Sequence, residues 1–210
     1  MKSTRPIIWS TRIDSTSNMR SIDYHVDGDW RVRGLVSDAL GSGASSLPKE
    51  QVPDYIFFDL YDLRASYKDN LPDLFMITGG VYVVSERFRN LLMAHELGAS
   101  EFHEVPLYEY DKSTRRPGRW FFFSVIEKKP TLVPEKSIGI KETSARGVYA
   151  PEMVARDVLA VRAASAQGAD IWQDPNLYFR LFLTDRLKQA IKEAGIKVRH
   201  MPMRKCVVVD

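Results

Sequence analysis

The chain has 210 residues, 44% of them hydrophobic and 27% charged, which excludes an intrinsically disordered protein and leaves enough apolar surface for a sizeable core. Its net charge of +3 falls short of a nucleic-acid footprint, and no window approaches the ~18–20 apolar residues of a membrane-spanning helix. A single cysteine, Cys206, excludes an intrachain disulfide and fits a reducing compartment.

The length suits one large domain or two small ones. After Met1-Lys2-Ser3-Thr4-Arg5-Pro6 only three apolar residues follow, Ile7-Ile8-Trp9, against the ~7–15 of a secretory core segment. A cytoplasmic protein is therefore expected. Residues 1–50 are the least regular. Asp14-Ser15-Thr16-Ser17-Asn18 and Asp27-Gly28-Asp29 are turn chemistry. Trp30-Arg31-Val32-Arg33-Gly34-Leu35-Val36 alternates weakly and reads as a strand. Gly41-Ser42-Gly43-Ala44-Ser45-Ser46 reads as a loop closing an N-terminal arm or small subdomain, 1–50, ahead of an α+β domain, 51–210. Asp54-Tyr55-Ile56-Phe57-Phe58-Asp59-Leu60 is an aromatic-rich strand candidate. Leu71-Pro72-Asp73 breaks the chain, and Ile77-Thr78-Gly79-Gly80 turns it into Val81-Tyr82-Val83-Val84.

The next segment occurs twice. Ser85-Glu86-Arg87-Phe88 and Thr184-Asp185-Arg186-Leu187 each offer a hydroxyl N-cap followed by a carboxylate at the positive end of a helix. Apolar positions then fall at Phe88, Leu91 and Leu92, and at Leu187, Ala190 and Ile191, the stripe of an amphipathic helix. His95 continues the first stripe, where the second has Ala194. Gly98 and Gly195 stand where a left-handed C-terminal residue is expected. A strand follows each helix and carries Pro106 or Pro202, a mark of edge or irregular strands. Between the copies, 101–110 and Arg119-Trp120-Phe121-Phe122-Phe123-Ser124-Val125-Ile126 form a hairpin with a basic loop, 111–118. The second run is apolar on both faces, which predicts a central, doubly covered strand. Residues 127–147 read as a long connection. Residues 151–166 fit either a helix opened by Pro151 and Glu152 or a strand over 157–163. Leu177 to Leu183 and Lys205 to Val209 are strands. The class is α+β: a mixed or antiparallel sheet with two related strand–helix–strand units packed around it.

Catalytic signatures are incomplete. His95-Glu96 and His103-Glu104 begin like the H-E-x-x-H zinc motif, but Ala99 and Leu107 stand where the second histidine belongs. His95, His103, Glu101 and Glu104 are suitable metal-ligand types; His95 reads better as a core-edge histidine, given the Ala in the other copy. The glycines of 41–46 lack the third position of a dinucleotide loop and the closing glycine of a nucleophile elbow. Cys206, in a Val-rich tail, reads as a small buried hydrophobe. Asp54, Asp59, Asp62, Asp69 and Asp73 form an acidic stretch that suits a solvated face or a dock for a basic partner. Lys112, Arg115, Arg116 and Arg119 beside Tyr108, Tyr110 and Trp120 could stack bases; a solvated loop over a packed aromatic strand is the simpler reading.

The order of the pieces carries a resemblance. Val83-Val84-Ser85-Glu86-Arg87-Phe88, then Glu101-Phe102-His103-Glu104-Val105, Trp120-Phe121-Phe122-Phe123-Ser124-Val125 and Phe179-Arg180-Leu181-Phe182-Leu183-Thr184-Asp185-Arg186-Leu187 follow one another. Over roughly 55–210 the chain resembles the eleventh-numbered immunity-protein family of bacterial polymorphic toxin systems. The resemblance implies a non-enzymatic cytoplasmic protein, with no metal or cofactor, that binds a cognate protein toxin and occludes it stoichiometrically. The candidate partner-binding residues are Asp54, Asp59, Asp62, Asp69 and Asp73 in the acidic stretch, and Arg115, Arg116 and Trp120 at the hairpin. The competing readings are a small metal-dependent hydrolase built on His95, His103 and neighbouring acids, and an RNA-binding accessory module built on 108–120.

Overall fold

A computed structural model of the chain describes residues 5–12, 22–25, 30–41, 46–58, 71–152, 157–178, 180–198 and 202–210. The repeat sets the architecture. In the first copy, β4 (Leu74–Met76), β5 (Tyr82–Ser85), α2 (Glu86–Leu92) and β6 (Glu101–Val105) come in order, with β8 (Trp120–Ser124) lying between β5 and β6. In the second, β12 (Ile171–Trp172), β13 (Arg180–Thr184), α3 (Asp185–Glu193) and β14 (Met203–Lys205) repeat the pattern. The strand lying between β13 and β14 is β1 (Ile8–Arg12). The two four-stranded sheets, β4-β5-β8-β6 and β12-β13-β1-β14, are thus alike and antiparallel throughout.

Local chemistry places the helices. Ser85 Oγ accepts from the Phe88 N–H at 3.2 Å, and Thr184 Oγ1 from the Leu187 N–H at 3.3 Å. Gly195, at φ +60°, follows the C-cap Ala194 directly. Gly98, at φ +59°, lies further on, because α2 already ends at its cap Met93.

The likeness extends beyond the predicted units. β3 (Tyr55–Phe58) runs parallel to β7 (Leu107–Tyr108), as β11 (Ala160–Arg162) does to β15 (Val207–Val209). β2 (Ile22–His25) pairs antiparallel with β3, and Leu132 and Ile138 bridge antiparallel to Val161 and Val158. β9 (Ile140–Glu142) and β10 (Tyr149–Pro151) form a separate antiparallel pair. These short strands and the three α-helices among the described residues make the fold α+β.

Strand alternation distributes the core. Tyr82 and Val84, Phe121 and Phe123, and Leu181 and Leu183 face a shared central core, closed by Phe88 and Leu92 of α2 and Leu187 and Ile191 of α3. Val83 and Phe122 point the other way, into a second core with Ile22, Ile56 and Phe58. On the far side, Ile8 and Phe182 join Trp172, Leu132 and Val161 in a third. β8 is therefore the doubly covered strand its composition predicts.

One local reading differs from expectation, and one left open is decided. Trp30–Val36 is a helix, α1, continued by a π-helical turn over Ser37–Gly41. The burial of Val36, Ala39 and Leu40 has helical spacing, which the weak alternation upstream conceals. Within 151–166 the strand alternative holds: Pro151 ends β10, and 160–162 form β11. No helix among the described residues is long and apolar enough to cross a membrane.

Candidate functional site

The register of β8 leaves one sheet edge unpaired among the described residues. The Glu86 N–H donates to the Arg119 carbonyl at 3.0 Å, so the peptide groups of Phe121 and Phe123 face β5, and those of Trp120, Phe122 and Ser124 face β6. Opposite them, Glu101, His103 and Val105 turn inward to β8, while Phe102 and Glu104 turn their N–H and C=O outward. One step along, the outward carbonyl of Pro106 accepts the Ile56 N–H of β3 at 3.0 Å. The parallel pairing goes no further back: its next bond would need an N–H of Pro106 to donate to the Asp54 carbonyl, and proline has none. No described residue bonds to the outward peptide groups of Phe102 and Glu104.

An open groove of about 800 Å³ follows this edge. Leu47, Val52 and Pro53 form one wall, and Arg89 and Met93 of the α2 segment the other. Met93 is 56% exposed. Phe102 stacks on Phe123, ring centroids 4.8 Å apart, with the Arg89 guanidinium 5.7 Å above its centre. Three buried polar atoms along the groove, Arg89 Nε, Ser100 Oγ and His103 Nε2, have no hydrogen-bond partner among the described residues. Such groups are uncommon in folded proteins and mark a place where a partner can supply what is missing.

Carboxylates border the same groove. Glu101 accepts from the Ser46 hydroxyl and lies 3.4 Å from His103 Nε2. Glu104 takes two hydrogen bonds from Arg119, and that guanidinium holds its carboxyl below the usual range, with Arg115 and Arg89 adding to the effect. Asp54 is exposed on the groove wall, and its carboxylate forms no ion pair among the described residues. The sequence candidates Asp54 and Arg115 are thereby brought to one region: Asp54 lines the groove, and Arg115 lies near enough to Glu104 to influence it.

The other candidates are placed differently. Asp59, Asp62 and Asp69 lie outside the described residues. Asp73 is bound internally: its carboxylate accepts from Ser85 Oγ at 2.6 Å and from the Lys197 N–H at 2.8 Å. Arg116 pairs with Glu109 at 3.1 Å and covers the Phe58 ring. Trp120 packs edge-on against Phe75, half-buried, and its indole N–H lacks a partner among the described residues. Arg115 is exposed at the hairpin, and its side chain makes no hydrogen bond or ion pair with the described residues. Lys112 lies 4.1 Å over the Phe57 ring, and Arg119 bridges Glu86 and Glu104. The cations that could neutralise phosphate are thus largely committed to aromatic faces and carboxylates of the protein itself.

His95 and His103 serve different neighbours. His95 Nδ1 is 3.4 Å from Asp170 Oδ2, whereas His103 faces Glu101. Among the described residues, no three His, Cys, Asp or Glu side chains converge as metal ligands would. Burial pushes the Cys206 thiol up to about 11, the Ser10 hydrogen bond and Arg180 opposing it only in part. A smaller cleft of about 260 Å³ is lined by Met76, Tyr82, Leu177 and Arg180, but Arg180 is paired with the buried Asp157.

Of the residues singled out from the sequence, Asp54 lines the groove, as do Glu101, His103 and Glu104, which are metal-ligand types; the groove itself was not expected. The one readable signal was Pro106, a residue without a donor at the end of a strand. A family model described as "Immunity protein family (Imm11)" matches residues 22–205. No curated protein matches the chain.

Proposed function

The chain belongs to the Imm11 immunity protein family, and from that membership we propose that it protects the cell that makes it by binding a cognate protein toxin of a polymorphic toxin system. The toxin is an effector delivered between competing bacteria, and the encounter takes place in the cytoplasm. Action is by stoichiometric occlusion rather than by turnover, and needs neither metal nor cofactor. The partner is a protein, not a membrane or a nucleic acid.

The observation that carries this reading is the groove along β6. It combines a backbone edge and polar atoms that have no partner among the described residues with an exposed Met93, Asp54 on its wall and Arg115 near its Glu104 end. A standard interface of ~1,600 Å² centred there, anchored by a few desolvated side chains, is enough for nanomolar affinity. The mixed charges at its rim would speed capture and reject wrong partners.

The test is to purify the protein with the toxin domain encoded beside its gene. A 1:1 complex on gel filtration, matched by protection of cells expressing the toxin, supports occlusion. Protection with no detectable complex points instead to an enzyme that reverses the damage, and ends this reading.

A further inference from the structure

Granting the immunity reading, we infer that the toxin is held through one extended segment that adds to β6 as a further strand. The four outward peptide groups of Phe102 and Glu104 have the spacing of a strand ladder and no partner among the described residues. The same edge already accepts a strand one step along, where Ile56 donates to Pro106. The stretch, which has no partner among the described residues, continues the line of β3, where Pro106 offers no N–H to extend the pairing. Strand addition of this kind draws affinity from main-chain hydrogen bonds and specificity from alternate side chains.

Side-chain alternation describes the occupant. Phe102 and Glu104 face the α2 side, with Arg89 and Met93; Glu101 and His103 face Ser46 and Leu47. Glu104 is already paired with Arg119, but the Asp54 carboxylate on the groove wall has no ion pair among the described residues. The fitting segment therefore carries a basic side chain toward Asp54 and an apolar one against Met93 and Phe102.

The experiment uses the full chain and the toxin domain encoded beside its gene. Hydrogen exchange of the amides of Phe102 and Glu104 is followed with and without the toxin, and should slow at least tenfold in the complex. Glu104→Pro removes an N–H that no described residue uses; Glu104→Ala keeps that N–H and removes the same carboxylate. The proline variant should bind about tenfold more weakly than the alanine variant, the loss expected for one main-chain hydrogen bond. A stable complex in which both amides exchange as in the free protein overturns strand addition and leaves the immunity reading standing. So does equal binding by the two variants. If the unaltered chain forms no complex, both readings fall together.

Discussion

Asp73 and Asp170 make the same bonds in reciprocal directions. Asp73 accepts from the N-cap hydroxyl of its own unit, Ser85, at 2.6 Å and from the Lys197 N–H, beyond the helix of the other unit, at 2.8 Å. Asp170 accepts from the N-cap hydroxyl Thr184 and from the Glu96 N–H, beyond the first helix, at 3.1 Å. The main chain repeats the exchange: the Asp73 N–H donates to the Lys197 carbonyl at 2.8 Å, and the Asp170 N–H to the Glu96 carbonyl at 2.6 Å. Each aspartate thus ties a helix start to the far end of the opposite helix. Together they clasp the two units around their common core.

We predict that Asp170→Ala destabilises the protein by about 3 kcal/mol. Its carboxylate is 1% exposed and also receives Arg186, so truncation strands several donors. Asp73→Ala, at a half-buried site with fewer donors, should cost about 1–2 kcal/mol. Urea unfolding monitored by tryptophan fluorescence gives both values. Equal, negligible losses would mean that the clasp contributes nothing.

The same residue makes stability depend on acid. Burial opposes ionisation of Asp170, but hydrogen bonds from Arg186, Thr184 and the Glu96 amide outweigh it and hold the carboxyl below its ordinary value. A group with a depressed folded pKa stabilises above its unfolded value, about 3.9, and loses that contribution as pH falls through the folded one. Thermal melts should therefore fall more steeply below about pH 4 in the unaltered protein than in Asp170→Asn. Parallel curves would remove Asp170 as the source.

Cys206 should be inert while the protein is folded. Burial raises its thiol to about 11, so little thiolate exists at pH 8. Iodoacetamide should label it only after addition of denaturant, as read by mass spectrometry. Rapid labelling of the folded chain would contradict the buried placement.

Reversing charge beside the groove should separate binding from stability. Asp54→Lys with Arg115→Glu alters two exposed side chains that make no ion pair among the described residues, so the melting free energy should change by about 0.5 kcal/mol or less. Affinity for the toxin should fall about tenfold or more, mainly in association rate and most clearly at low salt. Unchanged affinity in calorimetry would move the interface elsewhere.

What the sequence determined alone is local in origin. Ser85 and Thr184 bond to N–H groups three residues away, and the run Trp120 to Ser124 shows its two apolar faces by composition. Such signals span a few residues, so the caps, the helix stripes, the central strand and the α+β class were all readable. The ordered set of these segments also pointed to the family. Tertiary structure decided the rest. Pairing of Ile8 with Thr184 joins residues at opposite ends of the chain, and nothing in Ile8-Trp9-Ser10 names that partner. Asp73 resembled its acidic neighbours until Ser85 and Lys197 were found across it. The β6 edge left unpaired among the described residues depends on which way Phe102, Glu104 and Pro106 face, and only the pairing of β6 with β8 sets that.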